Sequence, residues 1–556
     1  MEIFYNTVFV CFFYFILGKS FISLKNNFSN TCLVILVGAI LLSVFALCFH
    51  FIAKLSIFNN SLIFLIILVF YLYKNTLSSI FDKQLFLNLL IISLLSTILI
   101  YLADSNRPDA GLYHYPFVKL LNDDKIIFGI TNINSRFGTI SIIQYLQAIT
   151  NNYVVDTNGM LLPLSILPMT IYLYFLNEIR LIIKNSYKNK FYLFYNFFCL
   201  IFISFKMNRY GEYGNDYIPH FFLFFLVSLF FKFRNKLKFS NIYFFSFFIF
   251  LNKIIFLPVL LLPFFNFIIY KKFEKIFTPK NFLISSFILI WILKNVINSG
   301  CLFWPIEQTC IKNLSWYNND KTSVQHVSVL SKVNQAWAKA WPDQKIKKNT
   351  MVEYISGYDW VSTWKSKHGK KILNIISIYS IFILLIILVL KYSSKKFPKD
   401  KIRQKDKMKI YVFLLFFILC VALWFIKFPV FRFGVSYLLN ILIFLCILFS
   451  SNIKLNDDNI KIIKYVTIVC LIVFTGKNLI KIKNHQIKYV NYPWPRYYGF
   501  NEENKTNTIT SVKIENQTSH YKAEGLCMYS KSPCTNENIS KHLLMKKKFN
   551  YKIYHF

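Results

Sequence analysis

Missing from this chain are the motifs with which soluble enzymes hold nucleotides or hydrolytic metals: there is no phosphate loop, no dinucleotide fingerprint, no HExxH, no GxSxG and no Walker lysine. A site that consumes a nucleotide is therefore not expected. Acids are scarce too, 25 Asp and Glu against 64 Lys and Arg, which leaves a net charge of +39. That excess does not make a nucleic-acid partner, because no recognised domain or aromatic-basic platform accompanies it. Lys, Asn, Ile and Phe dominate even patternless loops, as an AT-rich genome writes, and the basic residues sit in short clusters between apolar runs. No internal repeat is visible, and period-2 alternation is lacking, so neither paired inverted halves nor spanning strands are expected. Met1-Glu2 has no basic n-region and no small-residue cleavage site follows the first apolar run, so the first helix is expected to stay.

What is present is apolar length. The 556 residues are 55% hydrophobic and 19% aromatic. Residues 32–51, 85–102 and 372–390 are each about long enough to cross a hydrocarbon core of roughly 30 Å. The fold class expected is an all-α polytopic membrane protein with about 12–14 transmembrane helices. The crossings fall near residues 4–18, 31–49, 61–73, 85–102, 160–180, 192–206, 217–231, 241–251, 255–270, 281–296, 372–391, 409–427, 433–450 and 463–477. Residues 241–270 could be one kinked helix; the basic loops on both sides favour two short ones meeting near Asn252 and Lys253.

Basic clusters recur on every second connection, so the positive-inside rule makes those loops cytoplasmic and puts 103–158, 207–216, 297–371 and 428–432 together outside. These segments also gather His, Trp, Glu, Asp and Gly, which charge bias had no reason to select. The chain thus divides into N-terminal helices (1–102), a first large outer loop (103–158), central helices (159–296), a second large outer loop (297–371), C-terminal helices (372–477) and a polar tail (478–556). The tail is too thin in aliphatics for a large core. Its lysines argue for the cytoplasm, but long segments cross largely regardless of charge, and the outer side is expected.

The densest chemistry is the run from Asp104 to Pro116, where a membrane helix ends. Ionisable groups near lipid are costly unless paired or wet. Asp104 and Asp109, with Pro108 between them, could take the proton of an attacking hydroxyl or hold a metal that does so; helix capping or pairing with Arg107 would explain them without function. Arg432, at an aromatic turn between two late helices, suits a phosphate at headgroup level, or merely snorkels to the interface, and Arg136 has similar standing. Glu212 and Asp216 sit in a glycine-broken turn that presents them inward, unless it is only a solvated hairpin. Six tryptophans of the second large loop, Trp304 among them, offer faces for sugar rings or form an interfacial belt. Seven cysteines lie in spans as small hydrophobes. Cys301, Cys310, Cys527 and Cys534 lie outside, where spacing suggests the pairs Cys301 with Cys310 and Cys527 with Cys534; zinc binding by all four is the alternative, without knuckle spacing.

A first outer loop opened by an aspartate at a helix end, many hydrophobic helices, a late outer loop and a C-terminal tail resemble the GT-C superfamily of membrane glycosyltransferases. The string from Asp109 to Pro116 looks like the first-loop acidic motif of mannosyltransferase-like relatives, and Gly300 to Ile306 and Pro533-Cys534 look like a bacterial branch near that group. About three helices precede the acidic loop where the usual pattern has one, and Asp104 and Asp109 stand five apart in place of the common Asp-Glu or Asp-x-Asp pair. The resemblance implies an inverting hexosyltransferase on the outer face of a bacterial inner membrane. It would use a polyprenyl-phosphate-linked sugar donor and a glycan, lipid or protein acceptor. Asp109, with Asp104 beside it, would serve the acceptor, Arg432, Arg136 and His114 the donor phosphate, and Glu212, Asp216, Tyr113 and Trp304 the substrates. Superfamily members differ over a divalent cation (Mg or Mn). A polysaccharide polymerase or ligase, a transporter or flippase, and a non-catalytic scaffold are the alternatives.

Overall fold

The computed structural model describes residues 2–22, 24–25, 27–74, 83–100, 109–184, 189–207, 216–233, 236–270, 276–341, 350–394, 404–488, 509–514, 517–539 and 542–555. Among them ten helices are long and apolar enough to cross a membrane: Glu2–Phe21, Phe28–His50, Ile57–Lys74, Lys83–Ile100, Gly159–Lys184, Pro279–Ser299, Trp360–Ser393, Lys407–Lys427, Phe431–Ser450 and Asp457–Ile480. Four shorter apolar helices, Lys190–Phe205, Tyr217–Phe233, Phe239–Asn252 and Ile254–Ile269, lie among them. The spanning part is all-α and polytopic, as backbone groups in hydrocarbon require.

Burial separates centre from rim. Gly159–Lys184 has 94% of its span buried, whereas Ile57–Lys74 has 22%. The first runs through the middle of the bundle; the second turns most of its surface to lipid. Next to the centre lie the phenylalanine-rich helices, with Phe194, Phe198, Phe222 and Phe225 all buried. Their rings interlock with Phe245 and Phe248, the Phe222–Phe248 centroids 4.7 Å apart. Helices Glu2–Phe21 and Phe28–His50 touch backbone to backbone at Gly18 and Gly38. A Cβ on Gly38 would lie 1.8 Å from the Tyr14 carbonyl oxygen, so only glycine permits this crossing.

Residues 239–270 form the expected two short helices, and the break falls at Lys253, whose backbone is extended (φ −155°, ψ 138°). The returning limb is a 3-10 helix, Ile254–Phe264, carrying Pro258 and Pro263. Neither proline has an N–H to give, which prevents a regular α-helix there.

The first large loop packs as a small helical layer, Tyr115–Asp123 and Ile142–Thr150, over the helix mouths. Three buried asparagines fix it: Asn60 donates to the carbonyls of Leu55, Ala148 and Asn151, Asn122 to those of Leu55 and Ala148, and Asn151 to the Asn122 side chain.

Helix Trp360–Ser393 starts ahead of the crossing expected at 372, its first turn packed through Trp360 and Trp364 on Phe425, and Asp457–Lys488 runs past the expected end at 477. The polar tail is built of short strands. It forms β1 (Ile509–Ile514), β2 (Gln517–Ala523) and β3 (Cys534–Thr535) in one sheet, and β4 (Leu544–Lys548) with β5 (Tyr551–His555) in a second. Leu543, Met545 and Tyr554 are buried in the main core, while Ala523, Cys527 and Cys534 form a small cluster of the tail's own with Ile509 and Tyr521 against it. The cysteines outside the spans form the disulfides Cys301–Cys310 and Cys527–Cys534.

Candidate functional site

Helix Lys407–Lys427 stops ahead of Pro429, and the chain re-enters a helix at Phe431 after an extended Val430 (φ −99°, ψ 134°). Two indoles hold the turn: Trp364 Nε1 donates to the Pro429 carbonyl at 2.6 Å and Trp424 Nε1 to that of Val430 at 2.9 Å. Gly434 lets the next helix close on Trp424, for a Cβ there would come within 2.5 Å of the indole. From the opposite side, buried His220 takes the Ser436 backbone N–H on Nδ1 at 3.3 Å, which leaves Nε2 to donate to the Arg432 carbonyl at 2.9 Å. The backbone of Arg432 is thereby fixed before its side chain meets anything.

That side chain bridges two carboxylates. Arg432 Nε lies 3.5 Å from Asp216 Oδ2 and Nη1 lies 3.5 Å from Asp109 Oδ2, long ion pairs rather than short hydrogen bonds. Asp216 Oδ1 takes a second cation, the ammonium of Lys253. Lys253 lies over the Phe433 ring at 4.4 Å, and the Arg432 guanidinium over Trp337 at 5.1 Å and Phe433 at 5.2 Å. Asp109 is the accessible acid, its side chain 48% exposed against 16% for Asp216.

Asp109 stands at the head of a π-helical turn, Ala110–His114. Tyr113 in that turn shares a hydrogen bond with Asp109; burial first, then the Asp109 charge, holds its phenol above the usual range. The Arg136 guanidinium covers the Tyr113 ring at 5.7 Å and pairs with Glu537 of the tail at 3.8 Å. Glu537 also accepts from the Ser135 N–H, the Ser135 hydroxyl and Gln325 Nε2, at 3.0, 2.9 and 3.2 Å.

Two residues expected at the site do other work. His114 is buried, within 3.3 Å of Gln144 Nε2 through Nδ1, and pushed down to about 3 by burial and by the cations Lys253 and Arg432. Its neutral ring does not supply the positive charge expected for a phosphate. Trp304 is buried too, its Nε1 donating to the Ser135 carbonyl at 3.1 Å and its ring against Gly138, so it offers no open face to a sugar. It braces the turn that carries Arg136 instead. Asp104 and Glu212 lie outside the described residues.

The family described as a domain of unknown function (DUF8201) matches residues 1–439. The chain belongs to that family. Asp109, Asp216, Lys253 and Arg432 all fall within the DUF8201 match, whereas Glu537 and the tail strands lie beyond it. No curated protein and no solved structure matches the chain. In this DUF8201 protein no three His, Cys, Asp or Glu side chains gather as metal ligands among the described residues. Asp109 and Asp216 meet on Arg432 rather than on each other, so these residues do not assemble a Mg or Mn set.

The residue that sequence reasoning missed is Lys253. It is the one charged side chain within the apolar stretch 239–270, and that isolation was the available signal.

Proposed function

We propose that this protein is a membrane glycosyltransferase of GT-C-like architecture that moves a sugar from a polyprenyl-phosphate donor to a glycan, lipid or protein acceptor on the periplasmic face of a bacterial inner membrane. The observation that carries the reading is the meeting of Asp109, Asp216, Lys253 and Arg432, from four separate connections, at one mouth of the bundle. A transferase of this kind needs an accessible carboxylate beside fixed cations, and Asp109 beside Arg432 supplies that pairing.

In this mechanism Asp109 takes the proton of the acceptor hydroxyl as its oxygen attacks the anomeric carbon. The bond from that carbon to the phosphate oxygen breaks, and its electron pair leaves on the phosphate. Attack from the face opposite the leaving group inverts the anomeric centre. Arg432 and Lys253 face the charge that builds on the departing phosphate, where preorganised cations act most strongly. Trp337, its side chain partly exposed beside Arg432, offers the sugar an apolar face.

The test is transfer from radiolabelled polyprenyl-phosphate sugars in membranes holding equal amounts of wild type, Asp109→Asn or Arg432→Ala. Loss of transfer with Asp109→Asn and weakened donor use with Arg432→Ala are expected. Full activity of Asp109→Asn would sink the assignment. A second reading, a transporter or flippase, is favoured by one observation: the helical pair 239–270 breaks at a charged residue paired with an acid. It predicts counterflow of a lipid-linked sugar without covalent transfer.

A further inference from the structure

The β4–β5 hairpin carries features that the proposed transfer does not use. Its two-residue turn, Phe549-Asn550, has positive φ at both positions (49° and 64°). Such turns are ordinarily built from Asn and Gly, and a bulky aromatic in the left-handed region is strained. The strained residue is also unsheltered: Phe549 is 84% exposed. It follows an exposed run of three lysines, Lys546, Lys547 and Lys548. An aromatic ring held out in water at a conformational penalty, next to concentrated positive charge, is the chemistry of a membrane-interface anchor.

The hairpin is tied where such an anchor would work. Phe128 pairs with the strand at Lys552 and Tyr554, with N···O distances of 3.0 Å. Further along the same strand, the Tyr551 hydroxyl donates to the carbonyl of Phe51 at 2.7 Å, and Phe51 closes the spanning helix Phe28–His50. The strand therefore leads from the first loop toward a helix mouth, and the turn lies next beyond Tyr551. Ile52 and Phe58 at that mouth are 70% and 62% exposed, as lipid-facing residues are.

Beside the turn is a cavity of about 210 Å³ lined by Asp124, Lys125, Ile126, Ile127, Lys547, Asn550 and Lys552. Lys547 and Lys552 stand directly opposite across the strands, a like-charge pair that is destabilising on its own. Asp124 answers Lys552 at 2.8 Å, and Lys125 lies over the Tyr551 ring at 5.5 Å. Three lysines against one aspartate leave the cavity in want of an anion.

We propose that this hairpin docks on the bilayer surface at the mouth of helix Phe28–His50, with Phe549 in the headgroup layer and the Lys125, Lys547 and Lys552 cavity holding the phosphate of an anionic phospholipid. The occupant is the protein's own bilayer, because the tether to Phe51 holds the turn at a helix mouth and the charge selects acidic headgroups.

A nitroxide on Phe549→Cys, in the full chain carrying Cys48→Ser, tests this in nanodiscs of phosphatidylcholine with or without phosphatidylglycerol. With phosphatidylglycerol, contact with an aqueous nickel chelate should be several-fold lower at 549 than at a control label on exposed Ser511→Cys, and contact with oxygen higher. Replacing Lys546, Lys547 and Lys548 by Ala should raise the nickel contact at 549 toward that control. Equal nickel contact at 549 and 511 in both lipids would overturn the proposal. So would protection at 549 that appears only on adding a soluble anionic glycan, which would give the surface to an acceptor instead.

Discussion

Asp216 is shared by two cations, and that asymmetry fixes an order among variants. At 3.5 Å and an effective dielectric constant of about 20, a unit pair attracts by roughly 5 kcal/mol before desolvation is subtracted. Removing one partner of a buried pair leaves a net loss of about 3–5 kcal/mol, and the partial exposure of Lys253 and Arg432, 23% and 35%, scales this down. Lys253→Met leaves Asp216 still answered by Arg432, so the expected loss is about 1–2 kcal/mol. Asp216→Asn leaves Lys253 and Arg432 facing each other with only half-exposed Asp109 in reach, and the expected loss is about 2–4 kcal/mol. The double variant Lys253→Met/Asp216→Asn should then be more stable than Asp216→Asn alone, since the second change removes the repulsion created by the first. Thermal loss of the monodisperse peak in detergent, followed by fluorescence size-exclusion, would rank the three. A double variant no better than Asp216→Asn, or Lys253→Met the worst of the three, would refute the shared-acid account.

Other outcomes follow from particular contacts. Gly38→Ala must drive a methyl group into the Tyr14 carbonyl, so it should destabilise by more than about 3 kcal/mol, seen as loss of folded protein in the same assay. Glu537→Ala strips an acceptor from the Ser135 N–H, the Ser135 hydroxyl and Gln325, a local loss of about 2–3 kcal/mol that limited proteolysis would register as faster cleavage of the tail. His520 is pushed down to about 4 from an ordinary 6.5, by burial and then by Lys522. Its folded form binds fewer protons, so the stabilisation is complete above pH 6.5 and lost as pH falls toward 4. Between pH 6.5 and 5 this amounts to about 2 kcal/mol at 1.36 kcal/mol per pH unit, and His520→Gln should flatten that slope in tail proteolysis.

The spanning architecture was legible because apolar length is a local property: residues 31–49 and 433–450 announce their crossings without reference to any neighbour. The break at Lys253 was legible for the same reason. The pairing of Lys253 with Asp216 was not, since no local pattern says which two turns lie side by side. Asp109 and Arg432 were each visible as charges at helix ends, whereas their common contact depends on how the bundle closes. His114 and Trp304 misled because their residue types suit phosphate and sugar, while burial, which decides whether they can reach either, belongs to the tertiary structure. The tail's want of aliphatics was legible, but not that Leu543, Met545 and Tyr554 would join the main core, since that depends on where the tail docks.

The distance along the chain between the partners at the mouth has a consequence for biosynthesis. Asp109 leaves the ribosome long before Arg432, and Ser135 long before Glu537, a wait of roughly 16–80 s at ordinary elongation rates of about 5–20 residues per second. During that interval the first loop stands on its side of the membrane with a half-assembled set of charges and no cover from the tail strands. A nascent chain halted before residue 431 would hold Asp109, Asp216 and Lys253 without their common arginine. Completion of the cluster is thus a late event in synthesis, with only the spans Phe431–Ser450 and Asp457–Ile480 and the tail strands still to follow.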